Sequence, residues 1–325
     1  MPIRPLVHVV AYLLLAAAPF AFGQLSNYYA EVLTTVAVFV ILAASVDLVV
    51  GVAGQITLGH AAFFAIGAYS SAILTARYAV APVVAIAAGM FLSALAAYLI
   101  GLAVLRLKGY YLAMATLGLT AVTFTLLVGV REWTGGAAGF GGIPRFRLAG
   151  FEFSDGRHYY LLVLAAAFLV VVAARTLLES AYGRALIAVH ADEATATALG
   201  VDASRYKVSV FVFACALAAL AGSLFAHHLR FIAPDDFTIA QSIHILVMAY
   251  LGGIGTIYGA ALGAFTLQVL PEFVHHFKDY ERLGTGVVLI LVLAFFPGGL
   301  YGLVRGVGER MRLRRARLGE AAIGR

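Results

Sequence analysis

What most restricts the fold of this chain is a succession of apolar runs, at 6–23, 32–50, 61–76, 83–105, 110–130, 158–178, 207–228, 239–252, 258–274 and 284–304, joined by more polar connections. A helix needs about 20 apolar residues to cross the hydrocarbon core of a bilayer, and most of these runs approach that length. Composition agrees. Of the 325 residues, 63% are hydrophobic and 12% charged, against about 45–50% and about 25% in soluble domains. So little charge cannot cover a water-soluble fold of this size. The sequence therefore predicts an all-α polytopic membrane protein with about ten transmembrane helices, of which 61–76, 239–252 and 258–274 are short or broken. A single transmembrane domain is expected over 1–304 and a basic tail over 305–325. The first run also has the outline of a secretory signal, with Arg4 ahead of it and Ala21-Phe22-Gly23 before Gln24.

The net charge of +6 has the sign of a nucleic-acid binder but not the distribution of one. Seven arginines and two glutamates lie between Arg305 and Arg325, so +5 sits in the tail. Lys and Arg concentrate on the cytoplasmic side of short connections. With the tail inside, that side holds fourteen basic residues (Arg4, Arg106, Lys108, Arg175, Arg184, Arg205, Lys207 and the seven of the tail) and the other side eight. Both termini are expected in the cytoplasm, the tail near anionic lipid, and no nucleic acid as a partner. The loop 131–157 runs against the rule with four arginines outside, but it also carries Glu132, Glu152 and Asp155. The one cysteine, Cys215, excludes an intrachain disulfide. None of the three lysines, Lys108, Lys207 and Lys278, is followed by Ser or Thr, so there is no phosphate-cradling GxxxxGK[ST] loop. If nucleotide energy drives this protein, another subunit binds the nucleotide.

Two glycine-rich breaks adjoin short runs: Gly51-Val-Ala-Gly-Gln-Ile-Thr-Leu-Gly-His60 and Gly252-Gly-Ile-Gly-Thr-Ile-Tyr-Gly259. Unwound backbone at membrane depth survives only where protein or a water-filled cavity satisfies it, and paired breaks in the two halves of a transporter mark its path. Gln55, Thr57 and His60 favour that reading for the first break. Gly253 and Gly255 belong either to a path or to a close helix contact, Gly255, Gly259 and Gly263 being spaced for one. Asp47 is an ionisable group beside a span, and an uncompensated charge there costs at least about 2.5 kcal/mol. It is expected to line the path, or to reach water or cap the neighbouring break.

The inside loop 179–206 reads as one short alanine-rich helix between Gly183 and Gly200, too polar to span and ended by a glycine cap. It presents Arg184, His190, Asp192 and Glu193, and on physics alone it is equally an amphipathic connector lying on the membrane. Its pattern Gly183-Arg184-Ala185 followed by Glu193-x-x-Ala196-x-x-x-Gly200 resembles the "EAA" coupling loop of ABC importer permeases. Gly54–Tyr69, Thr134–Pro144, Leu246–Thr256 and Pro297–Leu300 are similar, in order, to signatures of LivM-type branched-chain amino-acid permeases. The chain departs from that pattern at Asp47, Thr57 and His190, where the family often carries Asn, Ser and Arg.

The resemblance implies a type II importer permease without a cofactor and without enzymatic activity, in the inner membrane of a bacterium. It implies as partners a homologous LivH-type permease, two cytoplasmic ATPases and an extracytoplasmic substrate-binding protein. Gly183, Arg184, Glu193 and Gly200 would couple to an ATPase, with Ala185, Leu186 and Leu199 packing the helix. Asp47, Gln55, Thr57, His60, Gly253 and Gly255 would serve the translocation path of a branched-chain amino acid, or alternatively of urea or a short amide. Two other classes compete. An ion-coupled secondary transporter would also use broken helices and Asp47, and a metal transporter would use His227, His228, Asp235, Asp236, His275 and His276, although these read more simply as interfacial side chains.

Overall fold

The computed structural model of the protein describes residues 26–148, 151–153, 155–274, 286 and 298–302. Its helices are α1 (Ser26–Asp47), α2 (His60–Tyr78), α3 (Pro82–Val104), α4 (Tyr110–Gly129), α5 (Gly156–Glu179), α6 (Ala181–Ala191), α7 (Glu193–Ala198), α8 (Ala203–Leu229), α9 (Ile239–Gly252) and α10 (Ile257–Val274). All but α6 and α7 match expected apolar runs to within a few residues, α1 beginning earlier and continuing into a π turn over Leu48–Val52. The run 6–23 with its signal-like outline, nearly all of 284–304, and the tail 305–325 lie outside the described residues.

Among the described residues five helices, α1, α3, α4, α5 and α8, are each long and apolar enough to cross a membrane, and α9 with α10, bent by 118° at the break between them, make a sixth if the pair is one span. Of the ten expected runs, 6–23 and nearly all of 284–304 lie outside the described residues, and those of α2, α9 and α10 do not qualify singly. The 14 residues of α9 reach only about 21 Å at 1.5 Å per residue, so α9 does not cross alone. α2 carries Ser70, Ser71, Thr75 and Arg77 and is largely buried among its neighbours, where a helix needs less apolarity than one facing lipid.

Lipid is as apolar as the protein interior, so such a bundle sorts side chains by size. On α3 the small residues Ala85, Gly89, Ser93, Ala97 and Gly101, each four apart, are buried, while Phe91, Leu92, Leu95, Tyr98, Leu99 and Leu102 are exposed. The small stripe lets α3 pack on α2 and α8, and Ser93 Oγ donates across it to the Cys215 carbonyl at 2.8 Å. α2 and α8 cross closer still. A Cβ at Gly67 would lie 2.1 Å from the Ala219 carbonyl oxygen, and one at Gly222 2.0 Å from that of Phe64. Beside this crossing the rings of Phe39, Phe64, Phe225 and Phe237 interlock, with centroids 5.1–6.5 Å apart.

Contacts between the connections form two groups. At one end Glu193 on α7 reaches Lys108 in the α3–α4 connection at 2.7 Å and Lys207 on α8 at 2.9 Å. At the other, Phe140–Gly141 pairs antiparallel with Phe231–Ile232, and Arg77 donates to the Glu132 carbonyl while lying over the Trp133 ring. His227 is not interfacial there. It is buried, with Nδ1 donating to the Pro144 carbonyl at 3.0 Å and Nε2 3.0 Å from Ser71 Oγ. His228 stacks on Tyr159 and meets Thr35 Oγ1 at 3.4 Å, and Asp236 accepts the Ala233 N–H. Among the described residues no three His, Cys, Asp or Glu side chains are placed to share a metal; His275 and His276 lie outside them.

The α2–α8 crossing is backbone against backbone and cannot yield to a methyl group. Gly67→Ala and Gly222→Ala each lower the stability of the solubilised protein by about 1–3 kcal/mol. Gly118→Ala on α4, where a Cβ meets nothing within 4 Å, leaves stability unchanged or raises it by up to the helix-propensity gain of about 1 kcal/mol. Denaturant unfolding in micelles measures all three.

Candidate translocation and coupling site

The π turn after Asp47 closes with the Ala53 N–H on the Leu48 carbonyl at 3.3 Å, and residues 54–59 then run without helical structure. Backbone of this kind, packed among apolar helices, must find donors and acceptors on its neighbours. It finds them on hydroxyl side chains. The Leu58 N–H donates to Thr116 Oγ1 at 3.0 Å, and Thr120 Oγ1 donates to the Leu58 carbonyl at 2.9 Å. The Ala61 N–H donates to Ser242 Oγ at 3.1 Å, and the Gly59 N–H to Thr57 Oγ1 at 3.2 Å. Sequence reasoning does not single out Thr116, Thr120 or Ser242. The available signal is the spacing of Thr116 and Thr120 by one helical turn within an apolar run.

Asp47 neither reaches water nor caps its own break. It is 0% exposed, and its Oδ1 accepts the N–H of Gly255, in the second break, at 2.6 Å. The two breaks touch here. A Cβ at Gly51 would fall 2.3 Å from the Gly255 nitrogen and 2.4 Å from Asp47 Oδ1, and Gly255 itself has φ +78°, a conformation that favours glycine. Gly253 packs against Gly299 of the Pro297–Leu300 motif, at which a Cβ would meet the Gly253 nitrogen at 2.4 Å. Gln55, Thr57 and His60 are all buried. Asp47 Oδ2, Gln55 Oε1 and both ring nitrogens of His60 have no hydrogen-bond partner, the Ser45 carbonyl lying beside His60 outside hydrogen-bonding geometry. Buried polar atoms are nearly always paired. These open ones, placed along the junction of α1 and α2, can bond a polar solute.

The loop 179–206 is two helices instead of one, because Asp192 ends α6 and caps α7. Its Oδ1 accepts the Ala194 and Thr195 N–H groups at 2.9 and 3.3 Å, a side-chain alternative to continuing the helix. The hydroxyl of Thr195, then the backbone N–H groups, hold the Asp192 carboxyl below its usual range. Ser180 Oγ caps α6 through the Gly183 N–H at 3.3 Å, and Gly183 sits where a Cβ would press on the Leu178 carbonyl at 2.4 Å. Gly200 follows α7 with φ +89°, as expected of a glycine cap. Leu186 is buried, but Leu199, expected to pack the helix, is 80% exposed. It stands at the C-cap of α7, past the face that buries Ala196.

Arg184 donates to the Glu179 carbonyl at 3.0 Å. Glu193 is bound within this chain. Lys108, then Lys207, hold its carboxyl below the usual carboxylate range. His190 is more than a solvated side chain. Its Nδ1 donates to the Val52 carbonyl at 3.2 Å, and its ring covers Gly54, whose Cβ would meet His190 Cδ2 at 2.5 Å. The loop therefore rests on the first glycine break through His190, and the first break on Gly255 through Asp47. Gly183, Arg184 and Gly200 shape the loop without reaching the breaks.

A family described as "Branched-chain amino acid transport system / permease component" matches residues 28–294. The chain is 33% identical to the high-affinity branched-chain amino acid transport system permease protein LivM of Escherichia coli K12, over 93% of this chain and 76% of that protein. It is 32% identical to LivM of Salmonella typhimurium over the same shares. With LivH of Escherichia coli K12 it shares 33% identity over 38% of this chain and 40% of the relative. No solved structure matches. Both glycine breaks and the whole loop 179–206 fall within the span that the family matches, and the chain belongs to the permease family of branched-chain amino acid transport systems.

Proposed function

We propose that this chain is the transmembrane permease subunit of an ATP-driven importer, carrying leucine, isoleucine and valine across the inner membrane of a bacterium. The observation that carries this reading is the identity of 33% to a LivM permease over 93% of the chain. The loop end of the bundle faces the cytoplasm, with both termini on that side. There it meets two ATPases. A LivH-type permease completes the membrane domain, and a substrate-binding protein delivers the amino acid at the opposite end. Hydrolysis belongs to the ATPases.

Coupling begins at the outer surface of α6 and α7, where Ile187 and Leu199 are exposed at 53% and 80% beside Arg184. These apolar knobs dock on an ATPase. Glu193 keeps the loop rigid by joining it to α8 and the α3–α4 connection. Movement of the loop reaches the first break through His190 on Val52 and Gly54, and the second through Asp47 on Gly255. Glycine breaks are suited to such bending because they absorb backbone rotation without a side chain to displace. The substrate passes along Asp47, Gln55, Thr57, His60, Gly253 and Gly255. The open Gln55 Oε1 and Asp47 Oδ2 accept from its ammonium group.

Asp47→Leu leaves the buried Gly255 N–H without its acceptor, lowers stability by about 1–3 kcal/mol and abolishes leucine uptake. Asp47→Asn, which keeps Oδ1 as an acceptor for Gly255 but replaces the open Oδ2 with an amide donor, retains most of the stability and loses most of the uptake. Thermal unfolding and uptake by the reconstituted complex read the pair. Leu199→Asp with Arg184→Glu releases the ATPases during affinity purification while leaving membrane insertion normal, since both side chains are exposed. The assembled complex with its binding protein moves leucine and not urea, and moves nothing when ATP is replaced by an ion gradient. Urea transport or gradient-driven uptake refutes this function.

A further inference from the structure

The coupling loop touches the first glycine break directly, through His190 on the Val52 carbonyl, and the second at one remove, through Asp47 on Gly255. The opposite end of the loop carries a further connection. α5 ends at Glu179 and α6 begins at Ala181, with Ser180 alone between them. The Ser180 N–H donates to the Leu177 carbonyl at 3.3 Å, its Oγ accepts the Gly183 N–H, and Arg184 donates back to the Glu179 carbonyl at 3.0 Å. These bonds make the last turn of α5 and the first turn of α6 one piece.

Near that end of α5, Arg175 divides its guanidinium between two elements. Nε donates to Glu179 Oε1 at 2.8 Å, one turn along the same helix, and Nη1 donates to the hydroxyl of Tyr258 at 2.7 Å, in the first turn of α10. The Glu179 carboxylate is 66% exposed, and such exposed pairs add little stability. What the pair does is orient the planar fork, whose remaining donors then have a fixed direction. The Tyr258 bond crosses from α5 to α10. An arginine near the end of a span ordinarily extends to water, yet this side chain is only 30% exposed and gives a donor to a neighbouring helix. Tyr258 stands three residues after Gly255 and opens the helix that follows the second break. Its ring stacks on that of Tyr301, with centroids 6.4 Å apart and planes at 26°. Tyr301 lies beside the same break: a Cβ at Gly253 would come 3.5 Å from that of Tyr301 and 2.9 Å from the Gly298 carbonyl oxygen. The hydroxyl of Tyr258 therefore connects to α5 and its ring to the glycine contact of the break.

We propose that Arg175 and Tyr258 are positioning residues for transport, forming a direct link from the coupling loop to the second break. Movement of α6 then reaches the two breaks by two routes, His190 at the first and Arg175 at the second. Neither residue belongs to the docking surface or to the path. Without the link, ATP hydrolysis proceeds while the second break no longer follows it. This consequence rests on the ATP-driven function proposed above.

Two measurements on the complete complex in proteoliposomes test the link: ATP hydrolysed per leucine transported, and hydrogen exchange of the backbone amides over 252–259 and over 54–59. Tyr258→Phe keeps the stacked ring and removes the hydroxyl, and Arg175→Gln removes the fork. In each, ATP per leucine is expected to rise several-fold through slower uptake, with hydrolysis nearly unchanged. Exchange over 252–259 is expected to quicken several-fold while that over 54–59 stays as in the unaltered protein. The double variant is expected to do no more than either single one, because both remove the same bond. A ratio that stays at its unaltered value overturns the link, as do effects that add in the double variant or exchange that quickens equally over both segments, as a general loosening of the fold would produce. A complex that moves no leucine with ATP even without substitution refutes the transport function instead, and the exchange pattern then decides the link alone.

Discussion

The Gly255 N–H received by Asp47 is the contact on which the loop end of the molecule depends. A backbone group freed from its helix inside an apolar bundle has no water to turn to. Here the acceptor comes from another break, 208 residues away in sequence. The bond therefore does two things at once: it makes an interrupted α9–α10 pair tolerable, and it fastens that pair to the end of α1. Glycine at 51 permits the approach, because any side chain would occupy the space of the Gly255 nitrogen. The flanking contacts, from Gly299 against Gly253 to His190 over Gly54, are built onto this junction.

The same reasoning accounts for the segment 54–59, whose hydrogen bonds are supplied by Thr116, Thr120, Ser242 and its own Thr57. Scattered hydroxyls in apolar helices look incidental along the chain. In the bundle they act as a surrogate for solvent along a stretch that cannot be helical. The atoms left over, on Asp47, Gln55, His60 and, further along α2, Tyr69, mark where that compensation stops.

Rigid and yielding parts divide by the same logic. The α2–α8 crossing at Gly67 and Gly222 has no space to change, and the stripe on α3 from Ala85 to Gly101 seats against it. The loop of α6 and α7 is held by charge and hydrogen bonds instead: Glu193 between two lysines, Tyr182 on the Tyr206 carbonyl at 3.0 Å, His190 on Val52. Such contacts exchange with less penalty than interlocked backbone. A core of interlocked backbone thus carries, against two glycine breaks, a loop fastened by polar contacts.

Hydrophobic period and glycine clusters are local properties of the chain, so most of the long described helices, to within a few residues, and the two breaks are legible in the sequence alone. For the short runs among the described residues length and apolarity do not decide the crossing, because whether a run crosses depends on what surrounds it: α2 is enclosed and α9 is bent against α10 by 118°. Pairings are likewise beyond the reach of sequence. Asp47 with Gly255, Glu193 with Lys108 and Lys207, and His227 with Ser71 and Pro144 join residues far apart along the chain, and nothing in a residue's own neighbourhood names a partner across the bundle. Even the coupling loop differs from its expected form, as Asp192 splits one expected helix into two and leaves Leu199 exposed. Chemistry along the chain specifies which segments break, but only packing specifies which polar atoms find partners, because those partners come from elements far apart in sequence.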